Sequence, residues 1–229
     1  MVLHNFDEVV AKVKEAPKRK IMAVAAANDS HTLEGVIHAR HEGIAEPLLV
    51  GDKAVILSEL EKLGEVIPDE HIYNEPDIQK ACEIAVKLVH DGEANFLMKG
   101  KVDTKIILHE VVNKDYGLGT GRLMSHFTMF QIPTYHKMIL PCDGGMVPYP
   151  DLQQKKQIIE NDVETLLALG YECPKVGVLT CVEKVNPKMP ETLDAAELQA
   201  MNERGEIKNC IVEGPISYDC AMSKEFAEF

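Results

Sequence analysis

Residues 95–113 read NFLMKGKVDTKIILHEVVN: an apolar run at Asn95–Met98, a glycine turn, then an amphipathic stretch over Asp103–Asn113 that opens on an acidic cap. A short apolar run that feeds a capped helical pattern is a strand leading into a helix. Toward the N-terminus the same unit recurs. Ile21–Ala26 (IMAVAA) is a buried-strand candidate, followed by the cap-like Asn28-Asp29-Ser30 and the amphipathic His31–Glu42. Pro47–Val50 precedes a helix over Lys53–Leu63. The short Val66-Ile67 precedes a helix over Asp77–His90, with Ile78, Ala81, Ile84, Ala85 and Leu88 as its apolar positions. Strands that alternate with helices need crossover connections, so the pattern predicts a doubly wound α/β fold with a mainly parallel sheet.

The pattern changes after Asn113. A glycine-rich turn, Gly117-Leu-Gly-Thr-Gly121, leads into Arg122–Ile132, then Pro133-Thr134, then Tyr135–Cys142. Two extended runs around a short turn predict an antiparallel hairpin. Alternation resumes with a helix over Asp151–Leu169, a strand over Lys175–Cys181, a helix over Glu191–Asn202 and a strand over Lys208–Val212. These elements place a domain change near residue 120, giving a first α/β domain over 1–120 and a second over 121–229. The last helical start, Tyr218–Phe229, has no C-cap glycine or proline and reads as cut rather than finished.

The chain of 229 residues carries 24 Lys+Arg against 37 Asp+Glu, a formal charge of −13. That balance argues against general binding to nucleic acid or to anionic membranes, both of which need a basic surface. Residues 1–20 form an amphipathic helical pattern without the apolar core of a secretory signal, and no stretch approaches the roughly 18 apolar residues that span a bilayer. Six cysteines are scattered without a C-x-x-C pair or a cysteine–histidine cluster. The expectation is a cytoplasmic protein with reduced thiols and no metal. An acidic molecule that grips an anion must do so with local cations and bare amides.

Three segments are candidates for that task. In Met98–Thr104 (MKGKVDT), at the end of a predicted strand, Gly100 lets the backbone approach an anion, Lys99 and Lys101 supply point charges, and Thr104 a hydroxyl at the helix start. The alternative is a tight turn with solvated lysines. It is not a Walker A loop, which needs glycine at Asn95 and Ser or Thr at Val102. In Gly117–His126, alternate glycines ending at Gly121 precede Arg122, whose planar fork suits phosphate oxygens, and Ser125-His126 follow. A flexible connector and a structural histidine are the competing readings. In Cys142–Met146 (CDGGM), Asp143 either orients a ligand group or caps the Asp151 helix turn. His109-Glu110-Val-Val-Asn113 lacks the second histidine of a zincin helix, and no G-x-S-x-G elbow occurs.

With these, the longer blocks TGRLMSHF (120–127), CDGGM…PDLQQKKQIIEN (142–161), VGVLTCVEKVNPKMPETLDAAEL (176–198) and EGPISYDCAMS (213–223) make the sequence resemble the phosphate acetyl/butyryl transferase family, most closely its butyryl-transferring members. The resemblance implies reversible transfer of a short acyl group between coenzyme A and orthophosphate, giving acyl phosphate. It implies two α/β domains related in fold to isocitrate/isopropylmalate dehydrogenases, an active site in the cleft between them, and a homodimer. Coenzyme A is then a substrate, and no cofactor is tightly bound. On this reading Ser125, His126 and Asp143 are catalytic, while Lys99, Gly100, Lys101, Thr104, Gly121 and Arg122 bind phosphate and substrate. Family members continue past the point matching Phe229 into further strands and a Ser-Arg motif followed by an aspartate. The resemblance therefore leaves a second expectation: a shortened, catalytically impaired member that only binds CoA or phosphate, or is structural. A dehydrogenase is the weaker third, since no acid–metal cluster for a hydroxy acid is present.

Overall fold

The computed structural model describes residues 2–228, and the chain divides into two compact units: residues 9–121, and residues from Arg122 onward together with the N-terminal segment up to Glu8. A first helix, α1 (Phe6–Lys14), crosses the boundary.

Residues 9–121 hold four parallel strands, β1 (Lys20–Ala25), β2 (Ala45–Gly51), β3 (Ile72–Asn74) and β4 (Phe96–Lys99), in the order β3-β2-β1-β4. They alternate with α2 (Ser30–His41), α3 (Lys53–Leu63), α4 (Ile78–His90) and α5 (Thr104–Val111). Successive side chains of a strand point to opposite faces, and the two faces of β1 build two different cores. Met22 and Val24 pack with Leu33, Val36, Ile56 and Leu60 from α2 and α3. Ala23 and Ala25 pack with Ala81, Cys82, Ala85 and Ile107 from α4 and α5. This is why the run at 21–26 is apolar throughout: a central parallel strand has no wet face. Each fully buried Val or Leu contributes about 1.5–3 kcal/mol to such a core.

The helices start where acidic caps can form. Asp29, Asp52, Asp77 and Asp103 each accept from a backbone N–H of the first turn that follows, a bond typically worth ~1 kcal/mol. The Val66-Ile67 expectation fails. The third strand is Ile72–Asn74, paired with Leu49–Gly51, while Ile67 is buried as a loop residue and Val66 is exposed. An apolar pair is not a strand unless a neighbouring ladder receives its backbone.

The second unit has two parallel strands, β5 (Lys175–Leu179) and β6 (Ile211–Ile216), with α6 (Leu152–Ala168), α7 (Pro190–Glu203), α8 (Tyr218–Met222) and α9 (Lys224–Ala227). Ile159 and Val163 of α6 meet Leu198 and Met201 of α7 and Val212 of β6 in its core. A capping box fixes the start of α6: Asp151 accepts from Gln154 N while the Gln154 side chain accepts from Asp151 N. The last strand begins three residues later than expected. Asn202 causes the delay, because its side chain donates to the carbonyls of Ile207 and Cys210 and accepts from Val212 N, tying 207–210 into a turn. The predicted hairpin is reduced to one antiparallel bridge, Phe130 with Ile139. Both units are α/β with parallel strands.

Candidate functional site

In the four-stranded sheet, β2 and β4 flank β1, so the connections reverse direction between β1 and β4. The crevice outside the carboxyl ends of those two strands is where open α/β sheets receive ligands. MKGKVDT lies at that point. The structure separates its members into two groups. Gly100 and Lys99 are committed to the fold. The Gly100 N–H donates to Ala25 O at 2.8 Å, and a Cβ there would lie 2.6 Å from that oxygen and closer still to Ala26 O. The residue is glycine because β1 passes beside it, and its own N–H is already taken by Ala25 O. The Lys99 ammonium turns back on its own loop, donating to Val102 O at 2.9 Å and Gly100 O at 3.4 Å, while the residue stays exposed and keeps its charge.

Lys101 and Thr104 stand differently. Lys101 is exposed, and its charge acts on Asp29, the cap of α2. Burial would raise the Asp29 carboxyl, but hydrogen bonds from Thr32 and the Lys101 charge outweigh it and hold the group below the usual carboxylate range. Thr104 is the first residue of α5, exposed beside the cap Asp103, which accepts from Lys105 N at 2.7 Å. The mouth of this sheet thus offers exposed ammonium groups at Lys99 and Lys101, the Thr104 hydroxyl and a helix N-terminus, with two acidic caps nearby. Of the glycine run, the Gly117 N–H is spent on Asn113 O and closes the turn that follows α5, while Gly121 takes a left-handed turn at φ 82°.

In the second unit, one face of α6 holds the segment after Gly121. Gln157, Asn161 and Glu164 recur at helical spacing. Gln157 Oε1 accepts from Leu123 N at 3.0 Å. Asn161 Nδ2 donates to Leu123 O and to Ser125 Oγ, both at 2.9 Å. Glu164 pairs with the Arg122 guanidinium, and both partners are exposed. Such a pair contributes only ~0–1 kcal/mol and exchanges readily for another anion. These side-chain bonds, rather than a hairpin ladder, receive the backbone of 122–125.

His126 and Asp143 come together through the backbone. The Asp143 carboxylate accepts from His126 N at 3.0 Å and from Gly145 N and Met146 N at 2.8 and 2.7 Å. Burial alone would raise its pKa, but these N–H donors prevail and keep it ionised below the usual range. The His126 ring lies 3.0 Å from Thr128 Oγ1, and a Cβ on Gly144 would come 2.7 Å from Nδ1, so a side chain at 144 would push the imidazole from this position. Among the described residues no hydrogen bond links the His126 ring to Ser125 Oγ or to the Asp143 carboxylate. The trio is a backbone-braced cluster and not a nucleophile–base–acid relay. Asp143 caps the 143–146 turn and not the Asp151 helix turn, which Asp151 caps itself.

Several residues with a part in this arrangement escape a motif search. Gln157, Asn161 and Glu164 are readable as a polar i, i+4, i+7 stripe. Asp162 interrupts the buried stripe Ile158, Ile159, Val163 and Leu166, an acid where the period demands an apolar residue. Elsewhere, Glu183, Asp219 and Cys220 bring three potential ligand atoms within 4.8 Å beyond the ends of β5 and β6. A depression of about 300 Å³ beside Leu57, Leu60 and Val66 holds none of the expected residues. No helix among the described residues is long and apolar enough to cross a membrane.

Comparison with known proteins agrees with this architecture. Residues 71–229 match the family described as phosphate acetyl/butaryl transferase. The chain is 43% identical to the phosphate butyryltransferase of Clostridium acetobutylicum over 99% of its own length and 75% of the relative's. It is 41% identical to the phosphate acetyltransferase of Thermotoga maritima, covering 92% of this chain and 71% of the relative. Among solved structures, a branched-chain phosphotransacylase from Enterococcus faecalis V583 superposes with a TM-score of 0.76 at 26% identity, over 91% of this chain and 72% of that one.

Proposed function

From membership of the phosphate acetyl/butaryl transferase family, to which the chain belongs, we propose that it transfers a short acyl group, butyryl or acetyl, reversibly between coenzyme A and orthophosphate. A phosphate oxygen attacks the thioester carbonyl, the carbon–sulfur bond breaks, and acyl phosphate and CoA thiol leave, the thiol taking the proton released by phosphate. The observation that carries this reading is identity of 43% to a phosphate butyryltransferase sustained over 99% of the chain.

The demands of that chemistry assign roles to the residues. Phosphate brings up to two negative charges into an acidic molecule, and Lys101, Thr104 and the N-terminus of α5 suit it, as does Arg122 once it exchanges Glu164. Lys99, Gly100 and Gly121 support them by shaping the two loops. The tetrahedral oxyanion needs preorganised donors, and the leaving thiolate needs a proton. Ser125 and His126 carry suitable groups, with Asp143 bracing the His126 backbone. Residues 9–121 and the unit from Arg122 onward serve as the two domains, the N-terminal segment up to Glu8 going with the second, and the protein acts in the cytoplasm as a homodimer that binds neither nucleic acid nor membrane. CoA is its substrate, with no metal or tightly bound cofactor.

The test is release of thiol from butyryl-CoA, followed with a thiol reagent and requiring phosphate, with acyl phosphate trapped as the hydroxamate. Phosphate-dependent release that Arg122→Ala and Lys101→Ala each reduce supports the reading. No release above the blank at millimolar substrates overturns it.

A further inference from the structure

The Asp143 turn lies over a feature that acyl transfer does not itself require. Asp162 of α6 is 6% exposed, and neither of its carboxyl oxygens has a hydrogen-bond partner. On its own helix it sits within the buried apolar stripe. The ionisable groups that face it are Cys142 and Asp143 from the turn and His126 from the preceding segment. The Cys142 sulfur stands beside the carboxyl, near enough to interact but without the alignment of a regular hydrogen bond.

We propose that Asp162 is a positioning residue of this cluster: it seats the Cys142–Met146 turn on α6 and thereby fixes Asp143 under the His126 amide. The proposal rests on the reading of His126 and Asp143 as part of the acyl-transfer machinery. Its physical basis is the cost of a charge in that place. A buried carboxylate without a hydrogen-bond donor is disfavoured, so its neutral, protonated form is favoured relative to an ordinary aspartate. Burial is the main cause raising its pKa and Asp143 adds to it, while the Cys142 thiol and His126 work against them. Ionisation would set a second negative charge beside Asp143, which its three backbone donors hold ionised. The two carboxylates would then push the turn away from α6 and loosen the His126 backbone. Desolvation of the sulfur, and after it the same neighbour, raise the Cys142 thiol well above the ordinary range, although the residue as a whole is exposed.

The experiment compares the full chain with Asp162→Asn, a neutral isostere, and Asp162→Ala. The first readout is alkylation of Cys142 by iodoacetamide against pH, resolved by peptide mass, with the buried Cys210 of the same unit reporting a folded chain. The second is the pH profile of phosphate-dependent thiol release from butyryl-CoA. We expect Asp162→Asn to alkylate several-fold faster at Cys142 at alkaline pH, because the group that, once ionised, holds the thiol protonated is gone, with Cys210 still protected. Asp162→Asn retains the plateau rate of acyl transfer and loses the fall that accompanies ionisation of Asp162. Asp162→Ala loses about tenfold or more, as misplacement of reacting groups by an ångström or less does. Wild-type Cys142 reactivity in Asp162→Asn, or an unchanged rate and pH profile in Asp162→Ala, overturns the proposal. Should all three chains lack acyl transfer, the functional reading fails by itself. Cys142 reactivity then decides this proposal alone, with faster alkylation in Asp162→Asn supporting it and an unchanged rate refuting it.

Discussion

Replacing Gly100 by alanine puts a methyl group where β1 leaves the sheet. The new Cβ would lie 2.6 Å from Ala25 O, 2.9 Å from Ala26 C and closer again to Ala26 O. All three are backbone atoms of the strand exit, so no side-chain rotation relieves the contact. Reaching an ordinary separation of 3.4 Å from Ala25 O requires a shift of about 0.8 Å between the ends of β1 and β4. Overpacking of this kind costs ~1–3 kcal/mol, and stretching the 2.8 Å bond from Gly100 N to Ala25 O adds to it. A total near 2–3 kcal/mol lowers the melting temperature by roughly 4–12 °C for a chain of this size. Because Lys101 and Thr104 follow directly, the same shift should lower acyl transfer by up to ~100-fold. Gly119→Ala is the control: its Cβ meets nothing within 4 Å and its backbone is not left-handed, so it should melt with the wild type. Thermal melts by circular dichroism, with thiol release measured on the same samples, decide the matter. A Gly100→Ala chain that melts within about 1 °C of wild type would refute the close-approach argument.

Other outcomes follow from the same coordinates. Asp151→Ala removes the capping box of α6 and should cost about 1 kcal/mol in urea unfolding, with the loss confined to the second unit. Gly144→Ala crowds only the movable His126 ring, so stability should hold while acyl transfer drops by about tenfold or more, and an unaltered rate would remove His126 from the reaction. Glu110, 2% exposed, accepts from Tyr116 OH and lies 3.0 Å from His109 Nδ1. Burial would raise its carboxyl, but those bonds win and lower it. Its stabilisation is therefore complete above the ordinary value of 4.5 and is lost as pH falls through the lower folded value. Glu110→Ala should cost ~1.5–3 kcal/mol at neutral pH and flatten that acid-side loss, checked by urea midpoints against pH.

Local chemistry that the chain carries in consecutive residues was legible in advance. The uniformly apolar run at 21–26 announces a central parallel strand, since both of its faces are dry. Acids immediately before amphipathic stretches mark helix starts at Asp29, Asp77, Asp103 and Asp151, because the side chain reaches its own backbone N–H groups without help from distant residues. The candidate loops were legible as well, as glycines and cations placed after strands. Strands that depend on a neighbour were not. Val66-Ile67 has the composition of a strand, yet the ladder formed at Ile72–Asn74, where β2 had backbone groups to offer. The segment at 122–142 has extended character, but Gln157 and Asn161 hold its early backbone in place of a partner strand.

The residues by themselves determined a parallel α/β architecture, its helix starts and the family, since periodicity, caps and motif blocks are properties of contiguous chain. Only the folded molecule decided what each cation meets. Lys99 and Lys101 are alike in type, flank one glycine and are both exposed, but the Lys99 ammonium donates to carbonyl oxygens of its own loop while the Lys101 charge acts on Asp29. The tertiary structure alone also put an unpaired Asp162 under the Asp143 turn. Solvation and partnership set what a charged group does, and both depend on atoms that the order of residues does not bring together.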